Sequence, residues 1–471
     1  MNIEQVLRQI DDDMKPAVGA AFVQLASNYF STSAQGERSV STRRTPAELA
    51  ARFAAPFPAQ PTPLQDVLGK LERDVVNESN WLYHPRYMGH QVTAPLPAAV
   101  WTDAVIGALN QSIAVQEMSP AVTMLERQLI RWMAGLAGLG GDAGGTLTSG
   151  GTEANFTALL AARAKMLPHA WEEGVGADPP VILCGEHAHY AVTRAAAQLG
   201  IGLKRAIAIR SEQHRMDTRD LAAKLQEYRG KVMAVVATAG STATGSFDDV
   251  HTIADLCEKY DVWLHIDGAH GASALLSKKH AHLLRGIERA HSIAWDPHKM
   301  MLMPLSVGVV LVRDQRFLDA AFSQRAPYLF ANATQTIDQG GRSFQCSRRA
   351  DALKLWVALQ RYGTEAFGVL FDHLYELTRY LYDELKENSR FEVLHEPQCN
   401  ILCFRFSDAA ANDLDEINAR LRLRYNTEGT GWITSTVLDG KRVLRTTMMN
   451  PRTSTKHVRE MIAELERLIL R

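Results

Sequence analysis

The chain has 471 residues, of which 46% are apolar and 22% are charged, and its formal net charge at pH 7 is −1. This composition is ordinary for a soluble globular protein, and the length favours a large domain with one or two smaller appendages. A net charge so close to zero gives no support for nucleic acid or an anionic membrane surface as a partner.

The five cysteines are scattered without C-x-x-C spacing, so neither a disulfide framework nor a zinc site is expected. The first twenty residues are charged throughout and lack the apolar core of a signal peptide. The chain also has no run of about 18 uncharged apolar residues, the length that a membrane span requires. We therefore expect a cytoplasmic protein with no membrane span and no bound metal.

Residues 1–75 are predicted to form a helical extension. Val18–Tyr29 and Leu64–Val75 carry apolar residues at helical spacing, and Thr45-Pro46 is a typical helix start. Because these apolar faces are weak, we expect the segment to pack either on a partner subunit or on the large domain of its own chain.

The next feature is a glycine-rich turn. Two predicted helices, Trp101–Ala114 and Ala121–Leu136, are followed by Gly150-Gly151-Thr152 and a further helix. Free N–H groups and the helix dipole make such an N-terminus a good phosphate site. The turn is neither a Walker A loop nor a G-x-G-x-x-G motif, and many helices that bind nothing begin in this way.

From residue 181 onwards, short apolar strands alternate with helices. The predicted strands are Val181–Cys184, Val232–Thr238, Val262–Ile266, Ser292–Trp295 and Val307–Val312. This alternation predicts an α/β fold with a largely parallel sheet that helices cover on both faces.

Four of these strands carry a polar or charged residue at or just past the carboxyl end, namely His189, Thr238, Asp267 and Lys299. Open α/β sheets hold their ligands at that edge. A carboxylate and a lysine there suit pyridoxal phosphate, because the lysine can form a Schiff base with the cofactor aldehyde and the carboxylate can keep the pyridine nitrogen protonated. Taken alone, each residue is more often a helix cap, a hydrogen-bonded histidine or a solvated charge.

The remainder of the chain begins with a loop and two helices and then changes to a mixture of short strands and helices. Ala326–Gly341 is a polar loop with a glycine pair, typical of a mobile lid, and the helices Arg349–Ala366 and Leu370–Glu387 follow it. After Asn388, short strands and helices mix. We predict three parts: a helical dimerisation segment at 1–75, a large cofactor-binding domain at 76–360 and a small α+β domain at 361–471.

With these pieces in place, the chain resembles the pyridoxal-phosphate-dependent group II amino-acid decarboxylases. That family includes glutamate, aromatic-amino-acid, cysteine-sulfinate and 2,4-diaminobutyrate decarboxylases. The resemblance covers nearly everything from His84 onwards and rests on HPRYMGH, TSGGTEAN, HAH (187–189), TAGST, HIDGAHG, DPHKMMLMPLSVGVVLV and QCSRRADALKLW. It implies fold type I, with a mostly parallel seven-stranded sheet in the large domain and a small C-terminal α+β domain.

The resemblance implies roles around the cofactor ring. Lys299 is the Schiff-base lysine, Asp267 pairs with the pyridinium nitrogen, and Ala269 packs beneath the ring. His189 stacks on the opposite face, and Thr238 lies beside the 3′-oxygen of the ring or the substrate carboxylate.

It also implies how the phosphate and the substrate are held. The residues at the phosphate are Gly151, Thr152 and His298. The residues at the substrate are Thr93, near its carboxylate, Arg445, matching an arginine that holds the α-carboxylate, and His90, in a stretch that shapes the pocket.

The chain departs from the family pattern at two places. Residues 331–341 lack the loop tyrosine that acts as proton donor in the aromatic and glutamate decarboxylases, and Tyr328 lies upstream of its place. Tyr328 and His189 are therefore both candidates for the general acid. Asp296 stands where the family commonly has asparagine.

We expect a pyridoxal-phosphate-dependent L-amino-acid decarboxylase that releases CO₂ from an external aldimine and forms an amine. The alternatives are an oxidative deaminase or aldehyde synthase, an aminotransferase, or a non-catalytic homologue; some relatives without the loop tyrosine form aldehydes. The resemblance implies a homodimer with shared active sites. The many polar groups of Asn80–Gln91 and Gln111–Ser119 favour a polar or acidic substrate over a large aromatic one.

Overall fold

The computed structural model describes residues 2–322, 337–408 and 413–470. It divides into two compact units. The first consists of Met1–His90, Arg390–Glu392 and Arg405–Arg471, and the second of Gln91–Ser389 and Val393–Phe404. The three-part division made from the sequence stays a prediction.

Several helices begin where capping chemistry favours a start. Asn2 and Thr45, for example, each accept a backbone N–H and form a capping box. No helix among the described residues is long and apolar enough to cross a membrane. The α-helices are α1 (Ile3–Asp13), α2 (Pro16–Gln35), α3 (Pro46–Arg52), α4 (Leu64–Lys70), α5 (Pro97–Leu109), α6 (Pro120–Leu136), α7 (Gly151–Met166), α8 (Ala170–Glu173), α9 (Tyr190–Gln198), α10 (Thr218–Glu227), α11 (Val250–Tyr260), α12 (Arg316–Ala321), α13 (Ala352–Lys386), α14 (Leu414–Thr427) and α15 (Thr455–Ile469).

The strands are mostly short and rich in apolar residues. They are β1 (Gly144–Thr148), β2 (Val181–Gly185), β3 (Ala206–Ile209), β4 (Ser211–Glu212), β5 (Arg215–Met216), β6 (Val232–Thr238), β7 (Trp263–Asp267), β8 (Ser292–Trp295), β9 (Gly308–Val312), β10 (Phe391–Val393), β11 (Ile401–Phe406), β12 (Thr434–Leu438) and β13 (Lys441–Thr447). Strands β10 to β13 belong to a four-stranded sheet, in which β12 and β13 form an antiparallel hairpin.

The second unit is built on a seven-stranded sheet in the order β1–β9–β8–β7–β6–β2–β3. Strands β3, β2, β6, β7 and β8 pair in parallel, whereas β9 is antiparallel to both of its neighbours. Every residue of β6, β7 and β8 is buried, because a sheet covered on both faces has no solvent side. The α/β fold class and the mostly parallel seven-stranded sheet are confirmed.

The strand order explains why polar residues from distant parts of the chain become neighbours. Strands β8, β7, β6 and β2 are adjacent and parallel, so their carboxyl ends share one edge of the sheet. At that edge Thr238 of β6 is paired with Asp267 of β7, and Asp267 with Ala294 of β8.

Strand β1 does not follow from the sequence pattern, because paired glycines weaken strand propensity. The structure gives a reason for one of them. A Cβ atom at Gly145 would come within 2.3 Å of the Val310 carbonyl oxygen on β9. Close approach of the two strands therefore requires glycine at this position.

Helix boundaries also differ from expectation. The two helices predicted at Arg349–Ala366 and Leu370–Glu387 form α13, which is interrupted only at Gly363, with φ 71° and ψ 165°. Glycine tolerates this positive φ, so the break occurs there. The helix predicted at Leu64–Val75 ends as α4 at Lys70 and continues as a π-helical turn, Leu71–Val75.

A buried ion pair ties α6 to the segment before α13. The Arg348 guanidinium donates to both Glu126 carboxylate oxygens, at 2.8 and 2.6 Å, and the two side chains are only 5% and 1% exposed. Removing one partner of such a pair leaves an uncompensated buried charge. We expect Arg348→Met to lower the free energy of unfolding by about 3–5 kcal/mol, measured by denaturant titration.

The double variant Arg348→Met/Glu126→Leu should recover most of that loss, because it leaves no buried charge. Arg379→Met, which removes the exposed ion pairs of Arg379 with Asp383 and Glu396, is the matched control and should cost less than about 1 kcal/mol. A single-variant loss no larger than this control would contradict the account.

Three histidines of the second unit, His265 fully buried and His291 and His395 partly buried, should make the protein acid-sensitive. Burial lowers the pKa values of His265, His291 and His395 to about 4, from 6.5. Between these values the unfolded chain binds more protons than the folded one, so stability present above pH 6.5 is lost as the pH falls towards 4. Each histidine should contribute a slope of up to about 1.4 kcal/mol per pH unit.

Unfolding free energies measured across this pH range test the expectation. His395→Asn should reduce the slope, whereas His282→Asn, at an exposed position, should leave it unchanged. Equal slopes in all three proteins would show that His395 does not contribute.

Candidate active site

A cavity of about 420 Å³ lies at the carboxyl edge of the parallel strands. Its lining includes all eight residues that the sequence assigns to the cofactor, which are Gly151, Thr152, His189, Thr238, Asp267, Ala269, His298 and Lys299. The structure therefore brings this predicted set together, although the role of each residue remains a matter for proposal.

Asp267 closes β7 and brings a buried carboxylate to the cavity. Its Oδ1 accepts the backbone N–H of Ala269 at 3.3 Å. In the part of the chain that the structure describes, no cationic side chain pairs with it, since Lys299 and His298 contact Asp296 instead. A buried carboxylate without a cationic partner is costly, so this position suits a ligand that carries a positive charge.

The N-terminus of α7 offers a complementary anion site. Gly150 has φ 152°, and a Cβ atom at Gly151 would come within 2.8 Å of Asp296 and 2.9 Å of the Ala269 side chain. The Gly151 N–H donates to Asp296 Oδ2 at 2.9 Å. The N–H groups of Thr152 and Glu153 have no acceptor among the described residues, and Thr152 lines the cavity. Free N–H groups at a helix start suit a phosphate.

Asp296 lines the cavity, although sequence reasoning recognised it only as a departure from asparagine. Its Oδ2 lies 3.3 Å from Lys299 Nζ and 3.5 Å from His298 Nε2, besides accepting the Gly151 N–H. Its Oδ1 is buried and has no hydrogen-bond partner among the described groups. The carboxylate thus links the lysine to the helix start, a pairing that a separation of 145 positions conceals in the sequence.

Two of the three histidines that line the cavity, His189 and His298, are held in defined orientations. His189 is the N-cap of α9, where its Nδ1 accepts the Ala191 N–H at 3.2 Å. His298 Nδ1 accepts the Val307 N–H at 3.3 Å. Burial lowers the pKa of both imidazoles, while Asp267 opposes the shift at His189 and Asp296 opposes it at His298. With Nδ1 accepting, each neutral ring carries its proton on Nε2.

Thr238 is held by a residue that the sequence did not single out. Its backbone N–H donates to Asp248 Oδ2 at 2.7 Å, and Asp248 Oδ1 accepts the Met216 N–H at 2.7 Å. Burial raises the pKa of Asp248 to about 6. The Thr238 hydroxyl has no hydrogen-bond partner among the described groups, so it can serve a ligand.

The residues predicted for the substrate are not in this cavity lining. Thr93 is buried in the second unit and its hydroxyl donates to the Ala94 carbonyl at 3.3 Å. His90 and Arg445 belong to the first unit, where burial and then Arg445 lower the pKa of His90. Tyr328 lies outside the described residues.

Comparisons with known proteins identify the family of the chain. A family model described as "Pyridoxal-dependent decarboxylase conserved domain" matches residues 46–407. Mus musculus "Acidic amino acid decarboxylase GADL1" is 34% identical over 361 residues, which span 75% of this chain and 66% of that protein.

Solved structures with similar folds cover almost the whole chain. One is the glutamate decarboxylase domain of a diaminobutyrate-pyruvate transaminase and L-2,4-diaminobutyrate decarboxylase from Vibrio parahaemolyticus, with a TM-score of 0.86, 29% identity and coverage of 97% of this chain and 96% of that one. Another is mouse CSAD in apo form, with a TM-score of 0.89, 28% identity and coverage of 96% and 99%.

Proposed function

The chain belongs to the pyridoxal-dependent decarboxylase family, and we propose that it removes the α-carboxyl group of an acidic L-amino acid as CO₂ and leaves the amine. It is a carboxy-lyase whose cofactor is pyridoxal phosphate. The observation that carries the proposal is the single cavity in which Lys299, the unpaired carboxylate of Asp267 and the start of α7 lie together.

The cavity residues fit the cofactor. Lys299 is the residue to which its aldehyde would attach, Asp267 would face the ring nitrogen, and Ala269 would lie beneath the ring. The phosphate would be held by Gly151, Thr152 and His298. When bound, pyridoxal phosphate supplies an electron sink for the electron pair left by the departing CO₂.

The chain's own groups control charge and protons around that chemistry. The Asp267 carboxylate stabilises a proton on a nitrogen beside it, because an opposite charge favours the protonated form. The Thr238 hydroxyl, which has no hydrogen-bond partner among the described groups, would donate to an oxygen of the cofactor or substrate. Burial of both groups strengthens these interactions by excluding water.

The proton that replaces the carboxyl group at Cα needs a general acid. His189 is one candidate from the sequence; it lines the cavity, and the Ala191 N–H fixes the orientation of its ring. Tyr328 remains the second candidate from the sequence.

The substrate class is inferred from the printed function of the mouse relative and from the many polar groups of Asn80–Gln91 and Gln111–Ser119. The resemblance to the family supports the proposals that Arg445 holds the α-carboxylate, that Thr93 reaches the carboxylate region and that His90 belongs to a stretch that shapes the substrate pocket. The alternatives of oxidative deaminase, aldehyde synthase, aminotransferase and non-catalytic homologue are not favoured, since the family model and the mouse relative are both described as decarboxylases.

We also propose that the enzyme is a cytoplasmic homodimer with shared active sites. Exposed apolar side chains on α1 (Ile3, Leu7, Ile10) and on α6 (Trp132, Leu136) support burial against a second copy. All five cysteines are free, which is compatible with a reducing compartment. Analytical ultracentrifugation of the full chain should give twice the chain mass, and a monomer at micromolar concentration would contradict the dimer.

A substrate panel tests the proposed activity. Holoenzyme is incubated with aspartate, glutamate, cysteine sulfinate, 2,4-diaminobutyrate, tyrosine and tryptophan, and amine formation is measured with the Lys299→Ala variant as the blank. We expect kcat/KM for an acidic amino acid to exceed that for the aromatic ones by at least about tenfold. A higher kcat/KM for an aromatic substrate would overturn the substrate class.

A further inference from the structure

A chain of buried hydrogen bonds joins the start of α7 to strands β7 and β8. Asn155, four residues into the helix, donates from Nδ2 to the Gly151 carbonyl at 2.8 Å. His265 Nε2 lies 2.7 Å from Asn155 Oδ1, and His265 Nδ1 lies 2.9 Å from Ser292 Oγ. Trp263 Nε1–H completes the chain by donating to Ser292 Oγ at 2.9 Å.

The Asn155 end fixes the donors and acceptors along this series of hydrogen bonds for a neutral His265 ring, whose Nδ1 also lies 3.2 Å from the Ser292 carbonyl oxygen. Because the Asn155 amide nitrogen donates to Gly151, its Oδ1 must accept, so His265 carries a proton on Nε2. His265 Nδ1 is then the acceptor for the Ser292 hydroxyl, whose oxygen receives the Trp263 N–H. Burial lowers the pKa of His265 to about 4, which agrees with a neutral ring at physiological pH.

The position of this series of hydrogen bonds, next to the cavity, suggests that it orients cavity groups as well as stabilising the fold. His265 stands two residues before Asp267 on β7, Ser292 lies on β8, which leads to Lys299, and Asn155 itself lines the cavity. The three side chains are at most 1% exposed. The bonds therefore join the first turn of α7 to the two strands that present the groups for the cofactor ring.

We propose that Asn155 and His265 are positioning residues that hold the first turn of α7 so that its free N–H groups face the cofactor phosphate. This inference rests on the phosphate site of the proposed function. Since Asn155 acts on the Gly151 carbonyl, its loss displaces the N–H groups of the same turn. Groups at the ring end of the cavity, which belong to the strands, should be less affected.

This difference can be measured with two forms of the cofactor. Pyridoxal lacks the phosphate, so it reports binding at the ring end alone. The full chain is freed of cofactor, and dissociation constants for pyridoxal phosphate and for pyridoxal are determined by absorbance titration. Asn155→Ala should weaken pyridoxal phosphate binding by about 10- to 100-fold and change pyridoxal binding by less than about threefold.

Further variants separate positioning from general stability. The affinity ratio is the affinity for pyridoxal phosphate divided by the affinity for pyridoxal. Ser292→Ala, which removes one oxygen atom, should lower this ratio several-fold. His265→Gln should keep the ratio within about threefold of the wild type, because its amide can donate to Asn155 Oδ1, whereas His265→Leu should lower it. Thr157→Val is the matched control on α7, since the Thr157 hydroxyl has no hydrogen-bond partner among the described groups.

The outcomes distinguish the possible explanations. If a variant bound both ligands more weakly by the same factor, or if Ser292→Ala and His265→Leu left the affinity ratio unchanged, the hydrogen bonds would serve only the stability of the fold. Either result would overturn the inference. If the wild type itself bound the two ligands equally well, the proposed phosphate site would fail, whatever the variants showed.

Discussion

Lys299→Ala is expected to lower kcat by at least about 10³-fold and to abolish the visible absorbance of the bound cofactor. Lys299 is the lysine that lines the cavity among the described residues, and its amine is 3.3 Å from Asp296. Removing it deletes the amine that we propose as the point of attachment for the cofactor. Steady-state kinetics and absorbance spectra of the purified variant measure both effects.

Two further variants control for indirect effects. Lys299→Arg keeps a positive charge beside Asp296 but cannot attach the cofactor, so it should be as inactive as the alanine variant. Lys278→Ala changes an exposed lysine of the same segment and should behave like the wild type. Turnover above about a tenth of wild type in Lys299→Ala would disprove the role of Lys299.

Asp267→Asn is expected to lower kcat by about 10²- to 10³-fold while the cofactor stays bound. The substitution preserves shape and the contact with the Ala269 N–H but removes the negative charge. Without that charge, the ring nitrogen of the cofactor would no longer be held protonated, and the cofactor would be a weaker electron sink. The effect should appear in kcat more than in KM, because the interaction is strongest in the transition state.

The matched control is Asp255→Asn, the same change at an exposed carboxylate that pairs with Arg289. That variant should keep wild-type kinetics. A kcat for Asp267→Asn within about threefold of the wild type would mean that its carboxylate does not act on the cofactor.

The sequence predicts those parts of the site whose residues belong to a recognisable pattern over a few neighbouring positions. Strands β6, β7 and β8 are mostly apolar, with His265 inside β7 and Ser292 at the start of β8, and each ends at or close to a polar residue. Because parallel strands end at one edge, the sequence alone is enough to place Thr238, Asp267 and Lys299 together.

Other features depend on long-range packing that local patterns do not carry. The contact of Asp296 with Gly151 and the Asn155–His265 hydrogen bond join residues more than 100 positions apart. Strand β1 is not recognisable in the sequence because of its paired glycines, of which Gly145 is required by the packing against β9. The assignments of Thr93, His90 and Arg445 to the substrate stay predictions.

The central claim is that the cavity of Lys299 and Asp267 catalyses decarboxylation, and product stoichiometry tests it most directly. Holoenzyme is given its best acidic amino acid in air, and CO₂, amine, ammonia and hydrogen peroxide are quantified together, with Lys299→Ala as the blank. We predict one CO₂ and one amine for each substrate consumed, with no peroxide or ammonia above the blank. Peroxide and ammonia formed in step with CO₂, with an aldehyde in place of the amine, would contradict the account.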